Sequence, residues 1–360
     1  MKKTKFYNAH TKLGAKIVDF FGFQMPIQYA GIISEHKAVR NSVGVFDVSH
    51  MGEVIVIGEK ALDFVQHITV NDASKLTNGR VQYSAMCYED GGIVDDLLVY
   101  KISDNEFMLV INASNIDKDF KWMNDNNSFG VELINESDSY SLLAVQGPNS
   151  QKVMEKITED KIDLEYYHFM QTKCAGIDVI LSRTGYTGEL GYEIYFKGDE
   201  DAALKLWDEL FIAGSEFDIA PVGLAARDSL RLEMGFCLYG NDIDKTTNVL
   251  EAGLGWITKL KKESFIGKSA LLKIKEEGTT RKLVALISDQ KAFPRKDYEL
   301  KVNGNVVGVI TSGTVSPVLE KPIALGYVKK EFSEIGNQIN FSIRGKDIPA
   351  EIIKLPFVNK

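Results

Sequence analysis

Near Gly278 the texture of the chain changes, and that change restricts the fold more than any other feature. Beyond it, residues 282–288, 299–302, 306–311 and 324–328 are short β-rich runs separated by turn residues, with no helical period among them. Asn303-Gly304, between two of these runs, is the strongest short hairpin signal a sequence can carry, because both positions tolerate the positive φ that a tight turn demands. The segment 279–360 therefore reads as an all-β domain. The charged stretch Lys273-Ile-Lys-Glu-Glu-Gly278 reads as the linker that leads to it.

Upstream, strand-type and helix-type segments alternate. Ser34 is placed to cap a helix over 30–45, with Gly44 as its stop. Val54-Ile-Val-Ile57 reads as a strand, and Leu62, Val65 and Ile68 recur with helical spacing. Two apolar runs, 83–88 and 93–100, flank Asp90-Gly91-Gly92 as a hairpin. Further strands are expected at 107–112, 142–145, 179–182 and 192–196, and helices at 116–123, 149–157 and 202–211. In the last helix Ala203, Leu206, Trp207, Leu210 and Phe211 make an apolar stripe. No internal repeat is visible. At roughly 150 residues per domain, 360 residues make two or three domains.

With 42 basic and 50 acidic residues the net charge is −8, which argues against a nucleic-acid partner held by non-specific phosphate attraction. The longest apolar runs are far short of the roughly 20 residues that span a bilayer. The start, Met1-Lys-Lys-Thr-Lys-Phe6, has basic residues but no apolar run behind them, so a cytoplasmic chain is expected. Cys87, Cys174 and Cys237 lie far apart and suggest neither a disulfide framework nor a metal site. The histidines form no HxxxH or HExxH pair, and Gly185-Tyr-Thr-Gly188-Glu-Leu-Gly191 lacks the GxGxxG spacing of a dinucleotide site. Metal, flavin and nicotinamide are set aside on this pattern.

Several residues carry chemistry without fixing it. Asp95 and Asp96 are neighbours on a strand and point to opposite faces, so both cannot line one site. A carboxylate there is either a turn-end acceptor or a functional group. Arg227 and Arg231 stand at i and i+4 on a helix starting near Pro221, which suits an anionic partner or internal pairing with Asp228 or Glu233. Trp256 reads as a core aromatic, and Lys259-Leu-Lys-Lys262 as a local basic patch on a solvated face.

Taken in order, Phe46-Asp-Val-Ser-His-Met51, Gly91-Gly-Ile-Val-Asp-Asp-Leu97, Ala144-Val-Gln-Gly-Pro148, Arg183-Thr-Gly-Tyr-Thr-Gly-Glu189, Gly223-Leu-Ala-Ala-Arg-Asp-Ser-Leu-Arg-Leu-Glu233 and Leu238-Tyr-Gly-Asn-Asp-Ile-Asp244 resemble the glycine cleavage T-protein family of tetrahydrofolate-dependent aminomethyltransferases. The resemblance implies an α+β fold with three domains in a clover-leaf around a central folate site: two interleaved α+β domains with antiparallel sheets over 1–275, and a C-terminal β-barrel over 279–360. It implies an enzyme that takes the aminomethyl group from the lipoyl arm of the H-protein and passes its methylene to tetrahydrofolate, a co-substrate. The products are 5,10-methylenetetrahydrofolate, ammonia and the dihydrolipoyl carrier.

Position by position, the resemblance makes Asp95 the catalytic carboxylate, Glu193, Arg227 and Trp256 folate contacts, and Met51 and Tyr83 neighbours of the pterin. The chain ends Pro356-Phe-Val-Asn-Lys360, without the C-terminal tyrosine or arginine contact of some members. A pterin offers two parallel donors, which suit Glu193 in bidentate geometry. Lys259, Lys261 and Lys262 become candidates for the acidic tail of folate or for the H-protein. The alternative within reach is a folate-binding relative that maintains iron–sulfur clusters without transferase activity. Its Lys-Gly-Cys-x-x-Gly-Gln-Glu block is replaced here by Glu233-Met-Gly-Phe-Cys-Leu-Tyr-Gly-Asn-Asp242, which makes Cys237 a small buried hydrophobe.

Overall fold

The computed structural model describes residues 1–359. The chain forms two compact units: one holds residues 1–64, 73–82 and 97–228, the other 65–72, 83–96 and 229 onward. Helices and antiparallel sheets are mixed in the first, and a closed barrel lies in the second, in keeping with the expected α+β class and C-terminal barrel.

The first unit is organised by a six-stranded sheet ordered Phe169–Cys174, Ile177–Ser182, Gly191–Lys197, Tyr140–Gln146, Gly44–Asp47 and Ala220–Pro221. All its pairs are antiparallel except the last. Because side chains on a strand alternate between faces, Tyr192, Ile194 and Phe196 enter one core while Glu193 and Tyr195 turn to the opposite face. The helices Ser150–Ile157 and Glu200–Ala213 cover the apolar face, contributing Val153, Met154, Leu206, Trp207 and Leu210. The Asp199 side chain caps the second of these helices by accepting from the Ala202 amide. A five-stranded sheet runs Val81–Cys87, Ile93–Ser103, Glu106–Ile111, Gly52–Ile57 and Glu132–Asn135, and its first two strands each pass from one unit into the other.

In the second unit six strands close a barrel in the order Arg281–Ile287, Pro322–Lys329, Asn305–Val315, Glu299–Val302, Gln338–Ile343 and Lys346–Ile353. Leu286, Leu300, Ile310, Val328, Phe341 and Ile352 fill its interior. Asn303 and Gly304 have φ of 50° and 79° and join Val302 to Asn305, as their sequence requires. The register of Asn305–Val315 shifts between Ile310 and Ser312, and this bulge turns Thr311 and Ser312 onto the carboxylate of Asp242.

Several expectations need correction. The first long helix spans Ile32–Asn41 with Gly31 as its N-cap residue; the Ser34 hydroxyl donates back to the Gly31 carbonyl, and Gly44 opens a strand. The charged stretch 273–278 is no linker: it is the last turn of the helix Lys268–Glu277, whose Leu271 is buried, with Gly278 at its C-cap. Strands Lys16–Phe20, Phe169–Cys174 and Lys346–Ile353 depart from a period-2 pattern and escape a sequence reading, whereas Phe23–Gln28 and Gln338–Ile343 alternate and are signals that reading passes over.

Candidate active site

In the first unit, the strand Gly191–Lys197 sets Glu193 among hydroxyl groups. Its Oε2 accepts from Thr184 Oγ1 at 2.5 Å and from the Tyr195 hydroxyl at 3.3 Å. Those two donors occupy both lone pairs of Oε2, so Oε1 is the oxygen left for a ligand, rather than the pair that bidentate binding needs. Burial pushes the Glu193 carboxyl above its ordinary range, while the Thr184 bond, the charge of Arg227 and the Tyr195 bond draw it back. Glu53, on Gly52–Ile57, is pushed up strongly by burial and then by the charge of Glu193, and its Oε1 has no hydrogen-bond partner.

Arg227, on the helix Leu224–Met234, lies with its guanidinium 4.6 Å from the centre of the Tyr186 ring. The loop that carries Tyr186 is fixed at several points. Arg40 donates to the Thr187 carbonyl at 2.6 Å and to Glu189 at 2.9 Å, and the Thr187 hydroxyl donates to Gln146. His50, buried beside this group, is held neutral: burial first, then the charge of Arg227, lowers it to about 3. Met51 follows it in the turn after Gly44–Asp47 and is half-buried.

Asp95, Tyr83 and Trp256 belong to the second unit. Asp95 sits near the start of Ile93–Ser103 and is fully buried, while Asp96, on the opposite face, accepts from the Tyr83 hydroxyl at 2.9 Å. The hairpin tip that positions Asp95 is rigid for a readable reason. Gly91 takes φ of 88°, and a Cβ at Gly92 would lie 2.3 Å from the Lys245 carbonyl oxygen, so both glycines are required. Beyond them the Ile93 amide donates to the Thr247 carbonyl at 3.0 Å.

Trp256 is 65% exposed, which overturns its reading as a core aromatic. Its ring lies 6.1 Å from that of Tyr83, tilted by 33°. The basic patch divides. Lys259 and Lys261 are exposed and line a groove of about 540 Å³ together with Lys275, whereas Lys262 is buried and donates to the carbonyls of Gln66, Thr69 and Asn71 at 2.7–2.8 Å. Burial lowers the Lys262 amine to about 7, yet three carbonyl acceptors match the three donors of an ammonium and leave a neutral amine one short, so the geometry reads it as charged. It ties loops together and is absent from the surface.

Arg231 also departs from expectation. It is 1% exposed and pairs internally with Asp242 at 2.7 Å, a partner the spacing along its own helix does not suggest. The three cysteines are buried, and burial raises the Cys237 thiol well above its ordinary range, which suits a hydrophobe rather than a nucleophile. Sequence reasoning missed the hydroxyls of Thr184, Tyr195, Tyr100 and Ser182. Alternation along Gly191–Lys197 was the available signal for Tyr195, two residues from Glu193.

The GCVT N-terminal domain model matches residues 6–262, and the glycine cleavage T-protein C-terminal barrel domain model matches 281–359. Among similar proteins, the aminomethyltransferase of Halothermothrix orenii is 51% identical over 99% of this chain and 100% of its own. That of Flavobacterium psychrophilum is 54% identical, with 100% of both chains covered. The crystal structure of the glycine cleavage system aminomethyltransferase T from Bartonella henselae superposes with a TM-score of 0.93 at 36% identity, covering 99% of this chain and 98% of that one. No helix among the described residues is long and apolar enough to cross a membrane. The chain belongs to the glycine cleavage T-protein family of aminomethyltransferases.

Proposed function

We propose that this aminomethyltransferase accepts the aminomethyl group from the lipoyl arm of the H-protein and delivers its methylene to tetrahydrofolate in the cytoplasm. The observation that carries the folate half of this reading is Glu193: a half-buried carboxylate with one oxygen fixed and the other open, drawn upon by the charge of Arg227. Glu193 Oε1 accepts an N–H of the pterin, and Arg227 takes the ring carbonyl or orients the carboxylate. Of the further folate contacts that the resemblance implies, Met51 is half-buried in the first unit, and Tyr83 and Trp256 lie ring to ring in the second. Lys259 and Lys261 attract the acidic tail of folate or the H-protein, a role from which the burial of Lys262 removes it.

The thioether C–S bond breaks with its electron pair on sulfur, which leaves as the thiol after protonation, and the carbon is left as a methylene-iminium cation. The pterin nitrogen attacks that carbon and gives up its proton. Ammonia then departs as the second folate nitrogen closes the methylene bridge, losing its own proton. Carbon keeps its oxidation level throughout, so the step needs no electron acceptor. Asp95, buried on its strand, stabilises the developing cation or takes the proton from the attacking nitrogen.

The test is tetrahydrofolate-dependent ammonia release from aminomethyl-loaded H-protein. Asp95→Asn should lower kcat by roughly 10²-fold or more, the scale of a lost acid–base or charge-stabilising group, while folate binding changes less. Near-normal release by that variant removes Asp95 from the chemistry. No release by the native chain, with sound folate binding, would instead favour the iron–sulfur maintenance role.

A further inference from the structure

Glu193 is gripped by one oxygen, and the groups that grip it form a closed set. Tyr195 and Thr184 are almost fully buried, as are Tyr100 and Ser182 behind them. The Tyr195 hydroxyl has a single proton, which it gives to Glu193 Oε2, so at 3.0 Å it accepts from the hydroxyl of Tyr100. The rings of Tyr100 and Tyr195 stand edge to face, 5.5 Å apart at 71°, which fixes the direction in which the Tyr195 hydroxyl points. Thr184 Oγ1 lies 2.9 Å from Ser182 Oγ, and Ser182 Oγ lies 3.1 Å from the Tyr100 hydroxyl. Ser182, with one proton, donates to only one of these two neighbours, so the four hydroxyls surround one carboxylate oxygen with four hydrogen bonds, and none is directed at Oε1.

We infer that Thr184 and Tyr195 are positioning residues for Glu193, pinning Oε2 so that Oε1 is presented to the folate ring in a single orientation. The inference rests on the reading of Glu193 as the pterin anchor. The terminal torsion of a glutamate is soft, so an unpinned carboxylate swings among orientations and must be ordered when ligand binds. Ordering it beforehand moves that cost from binding to folding. The hydroxyls do a second thing: as donors to the charged form they favour ionised Glu193 against the burial that opposes it. Hydrogen bonds that feed one another, Tyr100 into Tyr195 into Glu193, strengthen the last link.

The experiment uses the full chain with tetrahydrofolate and loaded H-protein, and reads folate Kd, KM against kcat, and melting temperature for Thr184→Val, Thr184→Ser, Tyr195→Phe, Glu193→Gln and the double variant Thr184→Val/Glu193→Gln. Thr184→Val keeps the shape and removes the donor; folate Kd and KM should rise about tenfold with kcat within about threefold, and Thr184→Ser should recover most of the loss. Tyr195→Phe, whose bond is longer, should raise Kd about threefold. The double variant should bind no more weakly than Glu193→Gln alone, since the hydroxyl acts only through that carboxylate. Native-like binding by Tyr195→Phe and by a folded Thr184→Val, or additive losses in the double variant, overturns the inference. If Thr184→Val does not fold, Tyr195→Phe and the Thr184→Ser measurement decide it. Unchanged binding by Glu193→Gln defeats the anchor reading instead.

Discussion

Arg231 with Asp242 in the second unit is taken out of water and Glu193 in the first is half-buried, and they differ in what remains unsatisfied. Asp242 accepts at Oδ1 from Thr311 and at Oδ2 from Arg231, the Leu238 amide and Ser312. Arg231 adds bonds to the Phe236 carbonyl and to Ser312. That centre is closed and offers a ligand nothing. Glu193 has one oxygen engaged twice and one left open. Saturation separates framework from site.

The comparison breaks most visibly under truncation of the closed centre. Asp242→Ala leaves a buried guanidinium without its counter-ion, and equilibrium urea unfolding should show a loss of about 3–5 kcal/mol. A loss under about 1 kcal/mol would mean that the pair is not the closed framework described. Glu193→Gln is expected to do the reverse. Stability should hold or rise slightly, because a poorly solvated carboxyl is removed, while tetrahydrofolate affinity falls by roughly tenfold or more. Equal damage to folding and binding would erase the distinction.

Acidity sharpens it further. The folded-state value of Glu193 lies above its unfolded one, so the folded protein binds that proton more readily, and this group's contribution to stability declines as pH rises from the ordinary glutamate range through the raised value. Folate binding, which uses the ionised form, should strengthen across the same window. Titrating folate Kd between pH 4.5 and 7 in native protein and in Glu193→Gln checks this: the variant should lack the acid-side weakening. The smallest effect belongs to the surface lysines. Neutralising Lys259 and Lys261 together should weaken folate or H-protein binding a few-fold at low salt and hardly at all at high salt, whereas loss without salt dependence would return them to a bland solvated face.

Much of the architecture was legible in sequence. The Asn303-Gly304 turn, the stripe of Glu200–Ala213 and the glycine pair before Asp95 are local signals, read by local rules. The ends of Ile32–Asn41 were not, because Ser34 satisfies the same turn from inside the helix that it was expected to cap. Lys262 and Trp256 were misplaced for a related reason. Burial is decided by what distant segments supply, and the three carbonyls that let a lysine be buried come from 66–71, far away in the chain. The family blocks led to Glu193, Arg227 and Asp95 as residues, whereas the cluster of hydroxyls around Glu193 arises from strands and loops with no common motif. Only Tyr195 was within reach of a period-2 count.

The chain passes from one unit to the other after Phe64, Asp72, Gln82, Asp96 and Asp228. A gene that exchanges segments with a relative by one crossover can therefore keep one unit whole but never replace a whole unit cleanly: a break after Asp228 keeps the first unit entire and splits the second between the parents. Every such hybrid mixes parental residues inside at least one unit, and it survives only where the parents agree on what that unit packs. Replacing one unit by a relative's needs several coordinated breaks, where a beads-on-a-string protein needs one at a linker.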